Sequence, residues 1–319
     1  WIVIAVTAVI YLYTNLSFCT NGAKSAIKRG GDIYKVYCGH KIGSFYDWFA
    51  AFFCYMSFIV MLGGANSTAM QQWGLPNGVG AILLAVVAVV TVVYGLESII
   101  KALSFLGPFI ILFLLVVVSY SATTGSLGFE AGANLIKSHA YEITQIGGGN
   151  PFASGASYGG FVILWFAAFL GELGARERLA DVKRGMLLSS VFIFCTAALC
   201  CIALISNIDL VWNTPIPTLA LANRMNPALG LVFAVVIFVG IYTSAVPLLW
   251  TGVKRVAVEG TSKYKIVTVL GGILGCIVAC LVPYAPLLNV LYGLNGYLGF
   301  VLMAFMVVYD IRELLGSRR

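Results

Sequence analysis

The chain has 319 residues, of which 61% are hydrophobic and only 10% charged. Soluble domains carry roughly a quarter charged residues, so the deficit places the chain among polytopic α-helical membrane proteins. The apolar runs are continuous rather than alternating, which sets aside a transmembrane β-barrel. The formal net charge of +7 would suit a nucleic-acid partner, but the positions of the charges explain it better.

Nine apolar spans can be marked in chain order: 1–19, 46–70, 78–95, 98–121, 157–175, 186–206, 227–252, 266–283 and 287–309. Each is close to the ~20 residues needed to cross the hydrocarbon. The chain starts inside the first span, with neither a methionine nor the basic, cleavable pattern of a signal peptide. We therefore expect a preceding segment, whose addition would make ten spans with both ends on one side.

Seventeen of the 19 Lys and Arg residues fall in alternate gaps and the C-terminal tail, leaving Lys137 and Arg224 on the opposite side. By the positive-inside rule the C-terminus is cytoplasmic and Trp1 starts at the outer face. The first gap, "TNGAKSAIKRGGDIYKVYCGHKIGS", is long enough for a short interfacial helix. Seven of the eight cysteines lie in or beside apolar spans, where cysteine acts as a small hydrophobe. Cys38 and His40 form a lone pair in a basic loop, without metal-ligand spacing.

The second span ends in "MLGGANSTAMQQ". Gly63, Gly64 and Ala65 would let a neighbouring backbone approach closely. Asn66, Ser67 and Thr68 either line a cavity or mark the interface. In the turn that follows the third span, Glu97 and Lys101 have the favourable four-residue helical spacing. The outer gap at 122–156 is rich in Gly and Ser and runs as "IGGGNPFASGASYGG" into the fifth span. Ser157–Gly160 is where that helix would unwind most easily, aiming backbone N–H groups at an anionic group. The alternative is that Gly159 and Gly160 serve close packing. Glu172, beside Arg176 and Arg178, reads as an interfacial ion pair, the alternative being a proton relay. Further on, "TLALANRM" within an outer gap reads as a short helix lying over the protein.

The seventh span contains "GIYTSAVPLLW", residues 240–250. Pro247 has no N–H for the carbonyl of Thr243, and Thr243 and Ser244 add two hydroxyls at the same height. With the carbonyl of Gly240, these oxygens suit a desolvated hard cation such as sodium. Alternatively, both hydroxyls bond back within their own helix and Pro247 only bends it. "GASYG", Gly155–Gly159, matches a nucleophile elbow, but no strand precedes it as that motif requires. Zincin and Walker motifs are absent, and no enzymatic activity is expected.

Taken in order, "GAKSAIKRGGDIY", "MLGGANSTAMQQWGLP", "YGLESIIKALS", "GIYTSAV" and "LYGLNGYLGF" resemble the YkvI-type bacterial membrane proteins. Those proteins are relatives of the amino acid–polyamine–organocation transporters with the LeuT fold. The resemblance covers essentially the whole chain. It implies one transmembrane domain over 1–319, with inverted five-helix repeats: 1–121 as the remainder of the first and 157–309 as the second. Helix 1 would be missing, so that nine helices, 2 to 10, are present. It further implies a break in helix 6 at Ser157–Gly160 and a sodium site at Gly240, Thr243 and Ser244. Substrate would lie at Ser157, Tyr158, Gly159, Gly160 and Phe161, with Tyr55, Gly64 and Asn66 from helix 3. The expected activity is secondary transport of a small polar solute, such as an amino acid, across the bacterial inner membrane. The alternative is a non-transporting sensor or assembly subunit on the same fold. No cofactor is expected other than a sodium ion. The expected partners are a solute, the lipid bilayer and, in a homodimer, a second copy, with no nucleic acid.

Overall fold

The computed structural model describes the chain apart from residues 95–96, 142, 144–148 and 317–319, with backbone alone over 97–107. The expected Glu97–Lys101 pair lies outside the described side chains. Among the described residues every regular element is a helix. In chain order these are α1 (Ile2–Lys24), α2 (Asp32–Trp73), α3 (Val79–Tyr94) and α4 (Glu97–Thr123). After them come α5 (Phe129–Lys137), α6 (Pro151–Arg176), α7 (Leu179–Ile205) and α8 (Ile208–Val211). The chain continues with α9 (Pro217–Met225), α10 (Pro227–Val256), α11 (Ser262–Leu281) and α12 (Tyr284–Gly316).

Seven of these, α1, α2, α6, α7, α10, α11 and α12, are long and apolar enough to cross a membrane. Each of the nine expected spans falls on a helix, but α3 and the Pro108–Thr123 stretch of α4 are shorter. The outward faces are apolar too. On α3, Leu83, Val86, Val87 and Val90 are exposed while Leu84, Ala85 and Ala88 are buried. Water would not tolerate so continuous an exposed apolar face, whereas lipid does. The chain is a multi-pass membrane protein.

The helices pack into two compact units, each drawn from separate stretches of sequence. Unit 1 comprises Trp1–Phe53, Gln145–Ala197 and Asn289–Arg319; unit 2 comprises Cys54–Thr144 and Ala198–Leu288. Both therefore take segments from 1–121 and from 157–309.

In unit 1 the main seam is α1 against α6. Thr7 donates to the carbonyl of Gly155 at 3.0 Å, Ile10 lies against Gly159, and Gly22 lies against Gly171. These pairs advance together along both helices, so α1 and α6 run parallel. The same holds for α6 and α12, where Gly160 meets Gly296 and Gly299. A Cβ on Gly22, Gly160, Gly174 or Gly299 would overlap a carbonyl of the facing helix. Such small residues let backbones touch directly, which is how helices associate where lipid offers no hydrophobic drive. A short helix lies in the first gap as the first turns of α2, ended by a corner at Gly39 with φ +71°. Past the corner, Gly43 packs on the backbone of Tyr34 and Lys35, and the Tyr34 and Tyr46 rings stack at 6.0 Å.

Unit 2 has two apolar clusters. The first joins α2, α3, α10 and α11 around Phe58, Leu84, Ala88, Val246 and Leu249. The second gathers α4, α9 and α10 around Val117, Leu219, Leu221 and Phe233. A polar lock ties the second cluster together. Asn207 donates to the carbonyls of Ser121 at 2.9 Å and Ala203 at 2.7 Å. Arg224 of α9 donates to the Asn207 Oδ1 and to the carbonyl of Thr124. The short helix expected over "TLALANRM" is α9.

Candidate functional site

The α10 helix starts on Asn226, whose side chain accepts from the Ala228 N–H at 2.8 Å, with Pro227 in the first turn. It continues as helix through Pro247. Tyr242 shares a 2.8 Å hydrogen bond with Thr91 of α3, while Ala245, Val246 and Leu249 are buried. These contacts fix the rotation of α10 and leave Thr243 half-buried and Ser244 exposed. Both hydroxyls donate to the Gly240 carbonyl, Thr243 at 2.7 Å and Ser244 at 3.3 Å. The back-bonded arrangement is thus the one adopted. It still groups three oxygens within one turn, and because the hydrogens face the carbonyl, hydroxyl lone pairs point away from it. Pro247 offers no N–H to the Thr243 carbonyl, which adds a fourth acceptor beside them.

The α6 helix is capped by Asn150, whose Oδ1 accepts from the N–H groups of Phe152 at 2.9 Å and Ala153 at 3.3 Å. It then runs unbroken from Pro151 to Arg176, so the expected unwinding at Ser157–Gly160 does not occur. Packing is the physical reason. Gly155 faces Val3 and Val6, Gly159 faces Ile10, and Gly160 faces Gly296, so each missing side chain is filled by a neighbouring helix. Gly155–Gly159 also lie wholly within this helix rather than at a strand-to-helix turn.

The intact helix carries a ring cluster on one face. Tyr158, Phe161 and Trp165 follow the i, i+3, i+7 spacing of a single stripe. Phe161 is buried at the centre, with ring centroids 4.6 Å from Tyr292, 4.9 Å from Trp165 and 5.5 Å from Phe53. Tyr158 stacks on Phe161 at 6.0 Å and is itself 44% exposed. Ser157 donates to the Tyr292 carbonyl at 3.4 Å, tying the stripe to α12. Tyr158 and Phe161 were expected at the site, whereas Phe53, Trp165 and Tyr292 were not. Trp165 was readable from the helical period, four residues beyond Phe161. Tyr292 and Phe53 reach the cluster only through tertiary packing.

The remaining three candidates, Tyr55, Gly64 and Asn66 of α2, lie in unit 2, and their polar groups are engaged there. The Tyr55 hydroxyl donates to the Gly271 carbonyl at 2.8 Å. Gly64 faces the Tyr284 ring, and its carbonyl accepts from Thr68 at 2.8 Å. Asn66 is buried, donates to Asn77 at 2.7 Å and accepts from the Gly78 N–H at 2.8 Å. It locks the α2–α3 turn. Glu172 pairs with Arg176 one turn later on α6, an exposed ion pair of the expected kind. No protein-family model matches the chain, and no curated protein sequence matches it.

Proposed function

We propose that the chain is a secondary transporter of a small polar solute, coupled to a cation held on α10. The observation that carries this reading is the turn from Gly240 to Pro247. There, the hydroxyls of Thr243 and Ser244 and the Thr243 carbonyl gather beside the Gly240 carbonyl, in the stretch of α10 that precedes Thr251, Lys254 and Arg255. The lone pairs that back-bonding leaves open, beside a carbonyl that Pro247 gives no N–H, can stand in for the hydration shell of a passing cation. Sodium, a hard cation that takes oxygen ligands, fits that set. The aromatic stripe of α6, with Tyr158 at its exposed edge, supplies a surface for the solute. The resemblance to the amino acid–polyamine–organocation transporters points to an amino acid as cargo, to the bacterial inner membrane and to a cytoplasmic C-terminus.

The test is a thermal shift of the purified protein in sodium chloride against choline chloride. At tenfold excess over the dissociation constant, sodium should stabilise the fold by about 1.4 kcal/mol. The shift should vanish in the Thr243→Ala/Ser244→Ala double variant; an unchanged shift there refutes the site. A second reading, a non-transporting sensor or assembly subunit, is favoured by the unbroken course of α6. Solute flux into liposomes distinguishes the two. A sodium shift without flux supports the sensor.

A further inference from the structure

Within unit 1, a cavity of about 370 Å³ opens between the C-terminal halves of α1 and α12. Its polar wall includes Tyr13, Ser17, Thr20 and Asn21 from α1, and Asp310 and Glu313 from α12. None of these belongs to the sites considered above.

Asp310 is the centre of this wall. Its Oδ2 accepts from the Tyr13 hydroxyl at 2.9 Å and from Ser17 at 2.8 Å, and its Oδ1 accepts from the Asn21 amide at 2.8 Å. Tyr37 buttresses the arrangement, bonding Ser17 at 2.9 Å and accepting from Asn21 at 3.0 Å. The carboxylate is therefore held in one orientation by donors that are all neutral. Lys24, the cation that lines the cavity, is engaged elsewhere, 2.7 Å from Glu313. The negative charge of Asp310 is thus oriented by neutral donors, while Lys24 acts on it through space and makes its contact with Glu313.

The free acceptor directions narrow what could pair with it at contact distance. An ionised carboxylate has about four lone-pair sites. Three are occupied, which leaves one on Oδ1. A bare metal ion needs about six oxygens converging on it, more than the open directions on Asp310, Tyr13 and Thr20 supply. An ammonium group needs one acceptor for each N–H. The Tyr13 oxygen, its hydrogen turned to Asp310, and the Thr20 oxygen, its hydrogen turned to the Leu16 carbonyl at 2.7 Å, both have lone pairs to give. Leu16 and Leu314 form the apolar remainder of the wall, suited to a short carbon chain. The volume lies within the range of small-molecule pockets and far exceeds that of an ion.

The geometry points to a binding site for a primary ammonium group on a short carbon chain, anchored on Asp310 between α1 and α12. That group can belong to the ethanolamine headgroup of a phospholipid or to a free amine. The site stands independently of the α10 turn.

The experiment titrates the purified protein in detergent with ethanolamine, read by saturation-transfer NMR of its methylene protons. Choline, which has a similar chain but no N–H on nitrogen, serves as the control. The expected result is saturable ethanolamine binding, with choline at least tenfold weaker. Asp310→Asn should weaken ethanolamine at least tenfold. Should that variant fail to fold, Leu314→Trp decides: it fills the mouth from an exposed position, leaves the polar network intact and should weaken binding as much. Bicelles containing phosphatidylethanolamine, compared with phosphatidylcholine alone, identify the source. Displacement of ethanolamine by the former assigns the site to lipid, and its absence assigns the site to a free amine. Equal binding of choline, full affinity in Leu314→Trp, or no saturable ethanolamine signal would overturn the assignment.

Discussion

Two alanine substitutions on one helix test the glycine seam that seats the aromatic stripe. Gly299 and Gly293 both lie inside α12. A Cβ on Gly299 falls well within contact distance of the Gly160 carbonyl, whereas one on Gly293 meets nothing within 4 Å. The obstructing atom is backbone and cannot rotate aside, so the α6–α12 seam must open by more than an ångström. Overpacking of this kind costs about 1–3 kcal/mol, and a backbone clash belongs at the upper end. Replacing glycine inside a helix gains about 1 kcal/mol in propensity, but that gain is common to both variants and cancels in their difference. Gly293→Ala should therefore be at least as stable as the parent, and Gly299→Ala about 3 kcal/mol less stable than Gly293→Ala. Equilibrium unfolding in mixed micelles, followed by circular dichroism, measures both. A difference below about 0.5 kcal/mol, within the scatter of ordinary surface substitutions, would show that α6 and α12 do not touch at Gly160.

Three other substitutions probe the frame around the candidate sites. Gly39→Ala has open space for its methyl group but a backbone at φ +71° and ψ 179° that is essentially reserved for glycine, so the loss should be conformational alone, about 1–3 kcal/mol by thermal melting. Asn66→Ala strands the buried Gly78 N–H and releases Asn77; about 2–3 kcal/mol of stability and faster proteolysis at 74–78 are expected. Unchanged proteolysis would show that Asn66 does not hold the turn. Glu172→Gln breaks an exposed ion pair, and its effect on unfolding should stay below about 1 kcal/mol.

Features set by local physics could be read from the sequence. Helices α6 and α10 lie where continuous apolar runs demand them, since a chain in lipid must satisfy its backbone within each segment. The helix over "TLALANRM" and the Glu172–Arg176 pair likewise follow from short-range spacing. The glycines of α6 were different. Gly159 and Gly160 permit either an unwound segment or a close helix crossing, and the residue type is the same for both. What decides is the facing surface, Ile10 of α1 and Gly296 of α12, which no local pattern reveals. Asp310 escaped for a related reason. At the end of the last span it reads as an ordinary interfacial acid, and only the register of α12 against α1 surrounds it with Tyr13, Ser17 and Asn21.

The same ambiguity governs the turn at Gly240, where it has a chemical form. A hydroxyl in a membrane helix must place its hydrogen somewhere, and the carbonyl three or four residues back is the nearest acceptor. Thr243 and Ser244 both do this. Back-bonding and cation binding are therefore not opposites. The first settles the hydrogens, and the second needs only the lone pairs that remain. Cation binding would draw in addition on the carbonyl that has no N–H to receive, and Pro247 leaves one at Thr243. Replacing Pro247 with alanine restores that N–H without touching either hydroxyl, so the sodium-dependent shift should fall while back-bonding stays intact. An undiminished shift in Pro247→Ala would mean that the hydroxyls alone account for the binding and that the freed carbonyl takes no part.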